Sequence, residues 1–375
     1  MKAGEKRTIC VVITARPSYS RVKSALQAIV DHPDLELKLV VAASALLGRY
    51  GNVVEQIQND GFEITEKVFM VLEGENPTSM AKTTGLGVME LSTAFLNIKP
   101  DMVVSIADRY ETIATAIAAS YMNIPVVHIQ GGEVTGSIDE KVRHAVTKLS
   151  DVHFVASKLA KLRVEKLGEN PDFVYETGCP SVDLATPGVD TKELSFDPCD
   201  KYAGVGEKLD LSKGYVVVMQ HPVTTQHSES RFQVEETLKA VAAQPYPVLW
   251  FWPNVDAGAD GTSTGIRHFR ETGDTKNFHF FKNMAPQDFL ELLYHSRCLI
   301  GNSSVGIREC AYLGVPVVNI GERQNRRERG KNVIDSAHDA AEITAAIEAQ
   351  FEFNGRRESD FTYGSGDAGK RIADI

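Results

Sequence analysis

Unbroken apolar runs that alternate with helical patterns constrain this chain most. Residues 8–15, 37–43, 102–107, 124–129, 152–156 and 173–176 read as strands. Helical patterns stand between them at 20–30, 52–59, 80–98 and 112–122, from about 139, and near 158–167. The alternation resumes with strands at 215–219, 248–252, 278–281, 298–300 and 315–320, and with helices at 287–295, after 304 and at 339–351. Such alternation implies mostly parallel sheets with helices on both faces. At 375 residues the chain exceeds one ordinary domain. Residues 177–213 are rich in Pro, Gly and Asp and lack apolar periodicity. The expected architecture is therefore α/β, with two Rossmann-like domains, 1–180 and 181–360, around a central cleft. The segment 361–375 is expected to pack back on the first domain.

Composition narrows the function. The net charge of −10 argues against a nucleic-acid footprint. No apolar stretch approaches the roughly 18 residues that span a bilayer, and the polar start shows no signal peptide, so a cytoplasmic enzyme without membrane or nucleic-acid partners is expected. The five cysteines, Cys10, Cys179, Cys199, Cys298 and Cys310, are scattered without a CxxC, so reduced thiols are expected. His128 and His144 lack any metal-ligand spacing, and no metal or cofactor is expected. The Gly85-x-Gly87 pair lacks a third glycine and lies in a helical pattern, so it is no dinucleotide fingerprint.

The chemistry-bearing residues cluster at strand ends, where open α/β sheets bind ligands. The densest cluster runs from His128 through Gln130-Gly131-Gly132-Glu133 to Asp139-Glu140 and Arg143-His144. Its glycines let backbone approach a ligand, and the helix start beyond them offers N–H groups to negative charge. Asp108, Glu133, Asp139 and Glu140 are candidate proton carriers, or else caps and surface charges. His221 ends a strand of the second half. Gly301-Asn302-Ser303-Ser304, with Gly306, forms a candidate phosphate cradle, and Glu309, about one turn into the following helix, could accept both hydroxyls of a ribose. Arg16, Arg109 and Arg323 each follow a strand end, and guanidinium forks match phosphate oxygens. The basic run 323–331 reads as a solvated loop with Arg323 turned to the ligand. Together these residues indicate an enzyme acting on a phosphate-bearing ligand, a nucleotide sugar.

The motifs Arg16-Pro17-Ser18-Tyr19-Ser20, Asp108-Arg109, Gly131 to Asp139, Arg143 to Lys148, Gly178-Cys179-Pro180-Ser181, Gln220 to Thr225, Pro253 to Gly258 and Gly301 to Ser304 occur in order over residues 8–335. In this the chain resembles the hydrolysing UDP-N-acetylglucosamine 2-epimerases of sialic-acid biosynthesis. The resemblance implies a GT-B fold, a UDP-sugar substrate, UDP as product, no metal, and a homodimer or tetramer. It implies catalytic roles for Asp108, Asp139, the residue at position 130 and His221. It implies UDP phosphate binding by Arg16, Ser303, Ser304 and Arg323, ribose binding by Glu309, and substrate contacts by Arg109, Glu133, Arg143, His144, Asn254, Asp256 and Gly306. Phe281, or its neighbour Phe280, stands where the family holds uracil. One position departs: the family reads His-Ile-Glu-Gly-Gly-Glu, and here the first acid is Gln130. An amide keeps the shape but exchanges no proton at neutral pH. The chain is therefore expected to bind substrate and turn it over poorly, whether the exchange is natural or engineered, unless Glu133 substitutes. Four rivals stand beside this reading. They are hydrolysis of a UDP-2,4-diacetamido-2,4,6-trideoxyhexose for legionaminic acid, a non-hydrolysing epimerase, a GT-B glycosyltransferase and an inert nucleotide-sugar sensor.

Overall fold

The computed structural model describes residues 6–48, 53–73, 76–106, 109–135, 138–185, 193–253, 258–353 and 355–375. Two compact units divide the chain. The first comprises Met1–Glu133, Ile138–Asp183 and Thr362–Ile375, the second Val134–Ser137 and Leu184–Phe361. The expected sites Asp108, Asn254 and Asp256 lie outside the described residues.

The first unit holds strands β1 (Arg7–Ile13), β2 (Leu35–Ala42), β3 (Ile64–Val68), β4 (Met102–Ile106), β5 (Val126–Ile129), β6 (Val152–Val155) and β7 (Val174–Glu176). They pair in parallel in the order β3-β2-β1-β4-β5-β6-β7. Between them run α1 (Arg16–Asp31), α2 (Val53–Asn59), α3 (Pro77–Ile98), α4 (Ile113–Tyr121), α5 (Ile138–Lys148) and α6 (Lys158–Lys166), and α7 (Pro180–Asp183) follows β7. Strand residues point alternately to the two faces. Ile9, Val11 and Ile13 enter one core with Tyr19, Val22 and Leu26, while Cys10 and Val12 enter the other with Leu91 and Phe95. Both faces are covered, which is why the strands read as unbroken apolar runs. Gly87 sits inside α3, where an added Cβ would meet Met70 Cε at 2.2 Å, so that glycine serves helix packing.

The second unit repeats the scheme. Helix α8 (Pro198–Tyr202) and strand β8 (Val205–Gly206) precede β9 (Val216–Met219), α9 (Ser230–Ala242), β10 (Val248–Phe251), α10 (Ala259–Thr272), β11 (Phe278–Phe281) and α11 (Pro286–His295). There follow β12 (Cys298–Gly301), α12 (Glu309–Leu313), β13 (Val317–Ile320), β14 (Val333–Ser336) and α13 (Ala340–Glu352). The sheet order is β14-β13-β12-β9-β10-β11-β8, and only β8 is antiparallel. Two elements correct the sequence expectation. The segment after β12 first makes a 3-10 turn, Ser304–Gly306, and α12 begins only at Glu309, so Glu309 is that helix's first residue. Strands β3, β8 and β14 and helices α9 and α10 add to the expected set.

The chain ends in α14 (Ala368–Asp374), which packs on α1 of the first unit. Asp183 fixes it there. Its carboxylate accepts the Ala368 and Gly369 N–H groups at 3.0 and 2.7 Å and the Ser24 hydroxyl at 2.8 Å. Replacing Asp183 with alanine removes this cap and lowers unfolding free energy by about 2 kcal/mol, read as a lower urea midpoint. No helix among the described residues is long and apolar enough to cross a membrane.

Candidate active site

In each sheet the strand order reverses beside the first long strand, and ligands of open α/β sheets bind at such switch points. In the first unit the reversal lies between β1 and β4. Arg16 opens α1 just beyond β1. That helix has no side-chain N-cap and no acid in its first turn; Pro17 carries no N–H, and the Ser18 and Tyr19 N–H groups donate to Ala15 O at 3.0 and 3.3 Å. Arg16 itself is half-buried and has no ion-pair partner among the described residues. Burial pushes its guanidinium down to about 10, so it stays charged at neutral pH. The hydroxyls of Thr14 and Ser18 beside it are buried without hydrogen-bond partners. A cation and two unpartnered hydroxyls suit a phosphate. Arg109, beyond β4, is different. Its Nε donates to Glu111 Oε1 at 3.0 Å, and Glu111 is 1% exposed. The expected substrate contact therefore carries a charge already matched by a carboxylate that the sequence reading passed over.

The next strand, β5, delivers position 130. Gln130 is 2% exposed and has φ +70°, a left-handed conformation that costs a non-glycine residue about 1 kcal/mol or more. Strained backbone of this kind gathers at functional sites. Its N–H donates to Phe154 O of β6, and its Nε2 donates to Cys179 Sγ at 2.8 Å. Glu133 is 3% exposed. Arg143, expected to touch substrate, is 1% exposed, and its Nη1 donates to Glu133 O at 2.7 Å, so in this chain it braces the glycine turn. Asp139 and Glu140 stand in the first turn of α5, where the helix dipole favours acids. His144 lies 3.9 Å from Glu140. Burial, with Arg143 beside it, holds His144 below the ordinary histidine value, which makes it a neutral ring at pH 7 rather than a phosphate cation.

His144 shares that shift with His153 and His338, each lowered chiefly by burial. Below the unfolded value of about 6.5 the unfolded chain binds protons that the folded chain refuses. Stability is therefore full above about pH 7 and falls as pH drops through 6.5. A urea midpoint at pH 5.5 is expected below that at pH 7.5, and His153→Gln is expected to narrow the gap.

In the second unit the strand order reverses between β9 and β12, and one side chain ties that point together. Asn302, 0% exposed, follows β12. Its Oδ1 accepts the His221 N–H and its Nδ2 donates to His221 O, both at 2.8 Å. Its own carbonyl accepts Arg323 Nη1 at 3.2 Å and Gln324 Nε2 at 2.9 Å. The loops after β9, β12 and β13 are thus one hydrogen-bonded unit carrying His221, Ser303, Ser304 and Arg323. Gly301 makes the approach possible: at φ +135° a Cβ there would lie 2.2 Å from Met219 O. Ser303 caps the 3-10 turn through Val305 N–H, and Gly306 is packed against Val317. Glu309 is 9% exposed, and its Oε2 is buried with no hydrogen-bond partner. A buried acceptor in that state calls for a donor, and vicinal hydroxyls supply two. Phe281 is fully buried against Phe251 and His279, and Phe280 packs on Trp250. Both rings are committed to the core, so neither offers a free face to a base. Among the described residues no group of three His, Cys, Asp or Glu side chains could hold a metal ion.

Comparison with known proteins decides what this arrangement belongs to. The family described as UDP-N-acetylglucosamine 2-epimerase matches residues 27–375. The chain belongs to this family. A Legionella pneumophila family member, UDP-N,N'-diacetylbacillosamine 2-epimerase (hydrolyzing), is 33% identical over 335 residues, covering 88% of this chain and 85% of that protein. A UDP-N-acetylglucosamine 2-epimerase of Neisseria meningitidis is 30% identical, covering 96% of this chain and 92% of that one. Among solved family structures, that of a Neisseria meningitidis UDP-GlcNAc 2-epimerase bound to UDP-GlcNAc superposes with a TM-score of 0.81 at 18% identity, covering 98% of both chains. The fold is therefore the GT-B type of these 2-epimerases. Family membership makes the chain an enzyme of the UDP-sugar 2-epimerase kind.

Proposed function

We propose that this epimerase hydrolyses its substrate, converting UDP-GlcNAc and water to N-acetylmannosamine and UDP. The C2 proton of the sugar is not acidic in the ground state. As the C1–O bond breaks, its electron pair leaves with UDP, and positive charge at C1 makes the C2 proton removable. Anti elimination gives a 2-acetamidoglucal. Water then adds its oxygen to C1, and a proton adds to the face of C2 opposite the one the first proton left, giving the manno product.

Arg16, Ser303, Ser304 and Arg323 take the diphosphate, whose departure needs positive charge and N–H donors. Glu309 takes the ribose hydroxyls. Asp108, Asp139 and position 130 handle the C2 proton and water, with His221 facing the sugar or its phosphates. The observation that supports the reading is the Asn302 knot at the β9–β12 switch point, which ties together the loops after β9, β12 and β13 in the unit where a buried Glu309 oxygen has no hydrogen-bond partner. With Gln130 in place of the family's acid, the chain binds UDP-sugar firmly and turns over slowly.

A second substrate is favoured by the Legionella relative, whose name specifies a diacetylated sugar. UDP and the C1–C2 bond are common to both substrates, so the groups above serve either. Anion-exchange measurement of UDP released from UDP-GlcNAc and from UDP-N,N'-diacetylbacillosamine by the Gln130→Glu form separates them. Faster release from UDP-GlcNAc supports the first reading and faster release from the diacetylated sugar the second. A sugar product still carrying UDP contradicts both.

A further inference from the structure

Cys179 has no part in the chemistry so far, yet it touches the side chain at which this chain departs from its family. Gln130 Nε2 donates to Cys179 Sγ at 2.8 Å, and Ser181 Oγ lies 2.9 Å from the same sulfur. Gln130, Cys179 and Ser181 are 2%, 0% and 3% exposed, so the three form a buried row. The end of the chain sets the sulfur's place. The Cys179 N–H donates to Tyr363 O at 2.7 Å. Gly178, at φ +86°, lies so close that a Cβ there would stand 2.9 Å from Gly364 Cα. Arg371 of α14 donates to Glu176 O at 2.7 Å and to Thr177 O at 3.4 Å. The segment that begins at Thr362 therefore holds the strand end that presents the thiol.

We propose that Cys179 is a positioning residue for side chain 130, forming with Ser181 a two-way relay that orients that group and sets its proton affinity. The proposal rests on the functional reading only in giving position 130 a part in the chemistry. A thiol donates and accepts, as a hydroxyl does. With an amide at 130, Nε2–H donates to Sγ and the S–H turns to Ser181 Oγ. With a carboxylate there, the row reverses: the Ser181 O–H donates to Sγ and the S–H to the carboxylate. No proton enters or leaves, because each hydrogen turns about its own bond. Donation to the charged form favours it, so the thiol lowers the proton affinity of an acid at 130. Other titratable or charged groups around this turn, among the described residues, are His128 of β5, whose Nδ1 lies 3.2 Å from Thr147 Oγ1, Glu133, Arg143 of α5, Arg163 of α6 at 3.3 Å from Gly132 O, and Arg371. None of them is altered by a change at 179.

The test is a ¹³C NMR titration of the full chain carrying Gln130→Glu and ¹³C-labelled glutamate carboxyls, without substrate. The added carboxyl is identified by difference from the parent chain. Cys179→Ala in that background is expected to raise its pKa by about one unit. Cys179→Ser, which keeps a donor and an acceptor, is expected to leave it within about 0.3 unit. In turnover, Cys179→Ala is expected to move the limb of the kcat–pH profile governed by that carboxyl by the same amount, with KM unchanged. The proposal is overturned if Cys179→Ala leaves the titration where it was, or if Cys179→Ser moves it as far as alanine does. Because the titration uses no substrate, it stands apart from the functional reading. A Gln130→Glu form that releases no UDP yet shows the expected titration difference removes that reading and supports the relay.

Discussion

Replacing Gln130 with glutamate raises the rate of UDP release about 10²–10⁴-fold, the usual worth of a positioned general acid or base. On the proposed reading an acid acts at this position, and the amide at the end of β5 is buried and held in a left-handed backbone conformation, so a glutamate there would supply the missing proton without new geometry. KM is expected to move little, because shape and hydrogen-bonding reach are preserved. Steady-state UDP release from the two forms side by side checks this. Equal rates would show that Gln130 is no block. Glu133, three residues along and 3% exposed, would then be the next carboxylate to remove.

The second large effect is expected at Asn302. Asn302→Ala strips the His221 N–H and O of their partner at a site 0% exposed, leaving buried polar groups unpaired. That costs about 2–4 kcal/mol of stability. It also frees the loops after β9 and β12 from one another, and UDP affinity is expected to fall at least about tenfold, as loosened ligand groups must be re-ordered on binding. Calorimetric titration with UDP and urea unfolding read the two effects separately. Asn302→Asp keeps the acceptor for the His221 N–H and loses the donor to His221 O, so it is expected to fall between. Unchanged UDP affinity in Asn302→Ala would show that the knot serves folding alone.

The doubly covered strands were legible because continuous apolar runs such as 9–13 and 216–219 fit no other element in a chain of alternating patterns. The edge strand β3 was not: its residues alternate between partly and fully exposed positions until Val68, so little apolar signal marks it. Helix α10 begins beyond a glycine and contains two more, Gly261 and Gly265, whose missing side chains let it pack on α9 but blur its pattern. Helix α9 does carry a readable stripe, Val234, Leu238 and Val241, at helical spacing. The strand-end position of the chemical residues was equally legible, because a polar cluster closing an apolar run marks the carboxyl end of a strand.

Partners at the site were a different matter. Asn302 and His221 are 81 residues apart in sequence, and Cys179 and Gln130 are 49 apart. Their bonds exist only once the sheet order brings the loops together. The pairing of Arg109 with Glu111 spans two residues, but whether an arginine meets its neighbour or a ligand depends on burial, which composition does not reveal. Similarly, the phenylalanines of β11 looked available for a base until both faces of their sheet proved to be core.

The most direct test of the account is the reaction of the Gln130→Glu form with UDP-GlcNAc in D₂O, followed by ¹H NMR. Free UDP and N-acetylmannosamine carrying deuterium at C2 are expected, because the original C2 proton leaves with the elimination and solvent supplies its replacement. A manno product that retains protium at C2, or that still carries UDP, would contradict it.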